Sequence, residues 1–180
     1  MPLSLARPAS LVRPRALPAR FRRQRLLIVG CGDVGSRVVL QRVARRGVQL
    51  LALSSQPDRL NALRAQGLTV LAGNLDQPCT LRRLAGLAQR VLHLAPPGAD
   101  GGARDVRTRA LVQALRRGRS PLQLVYGSTS GVYGNRQGAL LRETAALAPA
   151  TGRAQRRVHA EQTLRDWCRQ RLGQPAISIL

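Results

Sequence analysis

Three glycines, Gly30, Gly32 and Gly35, follow the apolar run Arg25-Leu26-Leu27-Ile28-Val29 at the spacing G-x-G-x-x-G, and a helical pattern starts near Val34. Each glycine has its own physical task. Gly30 lets the chain leave a strand in a tight turn. Gly32 has no Cβ, so a pyrophosphate can come close to bare backbone N–H groups. Gly35 lets the new helix pack against the sheet, and the helix N-terminus offers unpaired donors and a partial positive charge. Glycine-rich turns are common, so the spacing alone is weak evidence. Between a buried strand and a helix it predicts a dinucleotide site built on Gly30, Gly32, Asp33, Val34 and Gly35.

The position about twenty residues further on usually carries a carboxylate for the ribose hydroxyls. Here it falls at Ser54-Ser55, neither of them acidic, and the nearest carboxylate, Asp58, equally suits a first-turn charge complementing a helix dipole. With no carboxylate to repel it, a 2′-phosphate fits the hydroxyls of Ser54 and Ser55, with Arg59 or Arg37 supplying charge. The expected cofactor is therefore NADP or NAD, with NADP preferred. Arg37 and Arg59 read equally as solvated helix residues. Asn74 and Leu75, in Gly73-Asn74-Leu75-Asp76, fall where an adenine would lie, and the Asn74 amide suits a base edge. Asn74 and Asp76 also suit a simple turn and helix cap.

Candidate acids and bases are few. His93 ends a strand beside the expected crevice and has a suitable intrinsic pKa, although a strand histidine is more often a packing residue. His159 and Glu161 fall on the last helix, where solvent-facing positions are the default. Trp167 and Cys168 read as packing. Cys31, Cys79 and Cys168 are odd in number and lack C-x-x-C spacing, so no disulfide framework or metal site is expected, and a reducing compartment is the simpler inference. Cys31 reads as a small residue filling the glycine turn.

The elements that must hold these groups alternate between short apolar runs and amphipathic stretches, the pattern of βαβ units. Strands are expected at Arg25–Val29, Val48–Leu53, Leu68–Ala72, Arg90–Leu94, Leu122–Tyr126 and Ala176–Leu180. The first helix is marked by Val38, Val39, Arg42, Val43 and Arg46 and stopped by Gly47. Asp58–Gln66 follows with Leu60 and Leu63 inward, then Thr80–Ala88. Arg104–Arg117 carries Val106, Ala110, Leu111, Ala114 and Leu115 on one face, and Ala154–Leu172 is the longest helix. The fold class is α/β, a doubly wound parallel sheet (a three-layer Rossmann fold) in the order 3-2-1-4-5 with the sixth strand at the edge. Its crevice should lie over Gly30–Gly35 and Ala95–Pro97, which adds Ala95 and Pro96 to the cofactor residues.

A chain of 180 residues is long enough for one domain with a real core. No apolar stretch approaches a membrane span. The formal charge of +22 would suggest nucleic acid, yet every basic residue is arginine and the arginines are scattered over all segments. With 2% aromatics there is little to stack on bases, so the charge reads as compositional bias, nucleic acid as an unlikely partner, and the oligomeric state stays open. Residues 1–24 are rich in Arg and Pro and contain no acidic residue. They read as a leader outside the domain at 25–180: a disordered tail or an upstream start, with an organellar transit peptide as the alternative to a cytoplasmic protein.

Leu26–Gly35, Gly73-Asn74-Leu75-Asp76, His93-Leu94-Ala95, the segment Tyr126-Gly127-Ser128-Thr129-Ser130-Gly131-Val132-Tyr133-Gly134, and Glu143-Thr144 with Pro149 resemble the extended and atypical short-chain dehydrogenase/reductase superfamily. The likeness is to its NAD-dependent epimerase/dehydratase branch. It implies an oxidoreductase or a sugar-nucleotide epimerase acting on a small-molecule substrate, with Thr129 as the hydroxyl that meets the substrate oxygen. The family's Tyr-x-x-x-Lys pair registers on Arg153 and Arg157. Arg157 can still donate to a ribose, but a guanidinium at 153 has no proton to exchange. The missing pair suggests a non-catalytic NAD(P) or redox sensor as the alternative. In the family a C-terminal part follows the sixth strand, so a chain stopping at Ser178-Ile179-Leu180 reads as truncated or a fragment.

Overall fold

In the computed structural model, residues 24–43, 47–99, 102–170 and 175–180 are described. Residues 1–23, Arg46 and the expected Leu172 end of the last helix lie outside them, and Gln24, expected in the leader, opens the first strand. Six parallel strands, β1 (Gln24–Val29), β2 (Val48–Ser54), β3 (Thr69–Ala72), β4 (Arg90–His93), β5 (Gln123–Tyr126) and β6 (Ala176–Ile179), form one sheet in the order β3-β2-β1-β4-β5-β6. The helices are α1 (Asp33–Val43), α2 (Pro57–Ala65), α3 (Val106–Leu115) and α4 (Gly152–Arg169). Order and fold class agree with the sequence reading, and element ends agree to within about two residues for all strands.

Side chains alternate along β1 and β2 and build two cores. Leu27, Val29, Leu51 and Leu53 face a large core with Leu111 and Leu115 of α3 and Leu164 and Trp167 of α4. Ile28, Leu50 and Ala52 face a smaller one with Val39 of α1 and Leu63 of α2. Helices therefore cover both faces, and β1 is buried on both sides, which is why its sequence is a near-continuous apolar run. Winding reverses between β1 and β4, leaving a crevice at their C-terminal ends.

Three expectations change. Thr80–Ala88 is not an α-helix: a 3-10 segment runs over Pro78–Leu84, with Leu81 and Leu84 buried. Pro78 sits at its start, and Gly86 at φ +65 turns the chain out after it. Val106 is exposed, and Thr108 takes the buried place in the first turn of α3 because its hydroxyl finds polar partners there. Cys168 is exposed as well, its thiol donating to the Pro175 carbonyl at 3.3 Å.

Candidate functional site

At the switch point a cleft of about 420 Å³ opens over the ends of β1, β2 and β3. The β1–α1 turn forms its floor. Gly30 sits at φ +87, and a Cβ there would lie 2.3 Å from the Ala95 nitrogen. The contact is tight because Leu94 and Ala95 both donate their N–H to the Val29 carbonyl, at 2.8 and 3.0 Å. Gly30 thus serves close approach of β4's exit as well as the turn. Gly35 is packed, a Cβ meeting the Gly30 carbonyl at 3.2 Å and Ile28 at 3.4 Å. Gly32 is the opposite: a Cβ would meet nothing within 4 Å. Its bare edge faces open space in the cleft, beside the N-terminus of α1 whose first N–H groups have no intrahelical acceptor.

The structure brings most of the expected cofactor residues together. Gly30, Gly32, Ser54, Ser55, Arg59, Asn74, Leu75, Ala95 and Pro96 all line the cleft. Arg59 is drawn to the glycine turn, Nη1 donating to the Cys31 carbonyl at 3.1 Å. Among the described residues no carboxylate lines the cleft. Ser54 accepts from the Gln56 N–H at 3.2 Å, and Asn74 Oδ1 accepts from the Asp76 N–H at 2.9 Å, so its carbonyl end makes the turn and leaves its amide nitrogen for a ligand. Asp33, Val34 and Gly35 sit in the first turn of α1 without lining the cleft, and Val34 is exposed. Arg37 does not reach it either: its Nε pairs with the exposed Asp33 carboxylate at 3.1 Å. Cys31 is buried against the turn, and burial pushes its thiol up from the ordinary range.

Sequence reasoning missed Arg107 and Gln56, which also line the cleft. Arg107 was hidden because α3 was read for its apolar stripe. The signal for it was Asp76, a carboxylate after β3 read only as part of a turn and cap, which pairs with Arg107.

The residues considered for chemistry lie elsewhere. His93 is 1% exposed, and its Nε2 is 2.9 Å from the Thr108 hydroxyl. Thr108 spends its one proton on Asp105 Oδ2 at 2.6 Å, so Nε2 carries the histidine proton and Nδ1 is left as a bare acceptor. Burial, reinforced by the nearby Arg157 charge, lowers the His93 pKa to about 3. A neutral, enclosed imidazole cannot trade protons with a ligand in the cleft, so the packing alternative describes it. Arg157 is also turned inward. Its Nη1 donates to the Tyr126 hydroxyl at 2.9 Å and to the Gly127 carbonyl at 2.6 Å, with the guanidinium 5.4 Å from the Tyr126 ring centre. Glu161, expected on a solvent face, is buried, accepting from Ser128 Oγ at 2.5 Å and pairing with Arg165 at 3.0 Å. His159 accepts from the Asp105 N–H at 3.2 Å. Thr129 remains exposed and caps the 3-10 turn Ser130–Tyr133, its hydroxyl accepting from the Gly131 N–H at 3.3 Å. Tyr133 donates to the Glu143 carbonyl at 3.1 Å.

Comparison with known proteins fits this geometry. The TrkA-N domain family matches residues 26–93, from β1 to the end of β4. Nothing matches among curated proteins. A candidate epimerase from Burkholderia cenocepacia J2315 superposes with a TM-score of 0.71 at 27% identity, covering 88% of this chain and 54% of its own. UDP-glucuronic acid 4-epimerase from Bacillus cereus, in complex with UDP-glucuronic acid and NAD, gives 0.67 at 17%, covering 87% and 55%. A short-chain dehydrogenase/reductase superfamily protein from Agrobacterium tumefaciens with bound NAD gives 0.66 at 21%, covering 86% and 48%. The chain spans about half the length of these structures. Among the described residues no helix is long and apolar enough to cross a membrane.

Proposed function

We propose that this chain, whose fold is that of the epimerase and short-chain dehydrogenase/reductase superfamily, binds a nicotinamide dinucleotide in the cleft at the switch point, with NADP preferred over NAD. The observation that carries the reading is Gly32, the one fingerprint glycine whose missing side chain leaves open space where a phosphate needs it. Gly30 to Gly32 and the start of α1 would hold the pyrophosphate, and Ser54, Ser55 and Arg59 the adenosine ribose. Arg59 beside two hydroxyls, with no carboxylate lining the cleft among the described residues, suits a 2′-phosphate. A bound nicotinamide would supply hydride transfer, and this chain's part is to bind and orient it.

By resemblance the activity is that of an oxidoreductase or a sugar-nucleotide epimerase, with Thr129 offering a hydroxyl to the substrate. A non-catalytic NAD(P) sensor is the second reading. It is favoured by Arg157, whose guanidinium is committed to Tyr126 and Gly127 rather than to the cleft. Titration of NADPH and NADH, followed by nicotinamide fluorescence, tests the binding. Saturable binding that is tighter for NADPH and abolished by Gly32→Arg is expected, and no saturable binding of either nucleotide would refute it. Turnover of a sugar-nucleotide or carbonyl panel then separates enzyme from sensor. Binding to DNA with a steep salt slope, and to neither nucleotide, would favour a nucleic-acid partner instead.

A further inference from the structure

The cleft contains a cation that the glycine fingerprint does not call for. Arg107, in the first turn of α3, lines it beside Asn74, Leu75 and Pro96. Its Nε and Nη2 donate to the two carboxylate oxygens of Asp76 at 2.7 and 2.6 Å, and Nη1 donates to the Pro96 carbonyl at 3.2 Å. The fork joins the loop after β3 to the loop after β4. Hydrogen bonding to Arg107 holds the Asp76 carboxyl below its usual range, so the pair stays charged at any working pH.

A half-exposed ion pair contributes little to stability. What this one does is fix a flat cation in the wall of the cleft. Among the described residues no aromatic side chain lines the cleft to offer a ring for a bound base. Three hydrogen bonds hold the edge of Arg107 while its side chain remains 28% exposed where it lines the cleft, and a guanidinium face packs well on a π system. We infer that Arg107, locked by Asp76 and the Pro96 carbonyl, is the positioning residue that stacks on the adenine of the bound dinucleotide and closes the adenosine end of the cleft. This rests on the dinucleotide reading above.

The test measures affinity for NADPH and for ADP-ribose, which keeps the adenosine and lacks the nicotinamide, in the intact chain and in four variants. Arg107→Ala is expected to weaken both ligands by about tenfold, the loss of one partly desolvated cation–π contact. Asp76→Asn, which loosens the lock without removing the cation, should lose about threefold on the same scale. Arg107→Tyr restores a flat stacking surface without charge and should recover most of the affinity, whereas Arg107→Lys keeps the charge without the plane and should not. Unchanged ADP-ribose affinity in Arg107→Ala overturns the inference while leaving the dinucleotide reading intact. Rescue by Lys and not by Tyr also overturns it, since the cation would then be acting on phosphate. Failure of the unsubstituted chain to bind NADPH, NADH or ADP-ribose sinks both. Circular dichroism of each variant identifies any that fail to fold, in which case the Lys and Tyr pair decides.

Discussion

Two ends of the same sheet edge have been treated in opposite ways. At the β1–α1 turn the floor of the cleft is backbone: Gly32 is bare, and a Cβ there would meet nothing within 4 Å. At the β5–α4 end, where the family's acid/base pair would sit, side chains close on one another. Arg157 caps Tyr126 and the Gly127 carbonyl, Glu161 takes Ser128 and Arg165, and His93 is sealed against Thr108. A backbone-built site tolerates drift in its side chains, because an N–H is supplied by every residue but proline. A side-chain site does not. The Arg157 guanidinium needs partners of its own and finds them inward, at the Tyr126 hydroxyl and the Gly127 carbonyl, whereas the glycine turn leaves its backbone open.

The sharpest way to break this contrast lies within the glycine turn. Gly30→Ala forces a Cβ to 2.3 Å from the Ala95 nitrogen at φ +87, so it should cost about 3 kcal/mol or more of stability in a urea melt. Gly32→Ala, with open space around it, should melt within about 0.5 kcal/mol of the unsubstituted chain. Equal costs at the two positions would mean that the turn is not divided into a packed and an open glycine.

At the other end, Arg157→Ala should cost about 2–3 kcal/mol, because it strips a buried phenol and carbonyl of their donor. If the region is now structural, NADPH affinity at saturating folding conditions should stay within about twofold. A large loss of affinity with stability unchanged would place Arg157 in the binding site and cancel the comparison.

His93 gives the same region a pH signature. Its folded pKa of about 3 lies below the ordinary 6.5, so the unfolded chain binds more protons between those values. The stabilisation is therefore complete above pH 6.5 and is lost as pH falls towards 3, by about 2 kcal/mol between pH 8 and pH 5. His93→Gln should flatten that slope in urea midpoints measured across the range. An unchanged slope would show that the imidazole is not held neutral.

The sheet was legible in the sequence because its period is short and its punctuation strong: the first apolar run ended by Gly30, the first two helical stretches followed by Gly47 and Gly67, and a right-handed crossover rule that leaves few strand orders. The floor of the cleft was legible for the same reason, since glycine spacing encodes backbone geometry. What could not be read were contacts made by side chains distant in sequence. Arg107 finds Asp76 across 31 positions, and Glu161 finds Ser128 across 33. Neither pair leaves a periodic trace. The α4 pattern marked Glu161 as solvent-facing only because a carboxylate is normally exposed unless paired, and its pairing lay in another element. Thr80–Ala88 failed differently: composition allowed an α-helix, and the chain there forms 3-10 turns over Pro78–Leu84 instead.

The finest division of the comparison is between two arginines read alike in the sequence, Arg37 and Arg59. Arg37 is tied to Asp33 in an exposed i,i+4 pair on α1, whereas Arg59 reaches back to the Cys31 carbonyl and lines the cleft. Only the second stands where a 2′-phosphate would be charged against it. Arg59→Ala should therefore weaken NADPH about fivefold while leaving NADH within about twofold, since only the 2′-phosphate loses a charge-assisted contact. Arg37→Ala should leave both nucleotides unchanged. The ratio of the two affinities is the deciding quantity: a fall in NADPH and NADH together would make Arg59 a support for the glycine turn, and preference would have to rest on Ser54 and Ser55 alone.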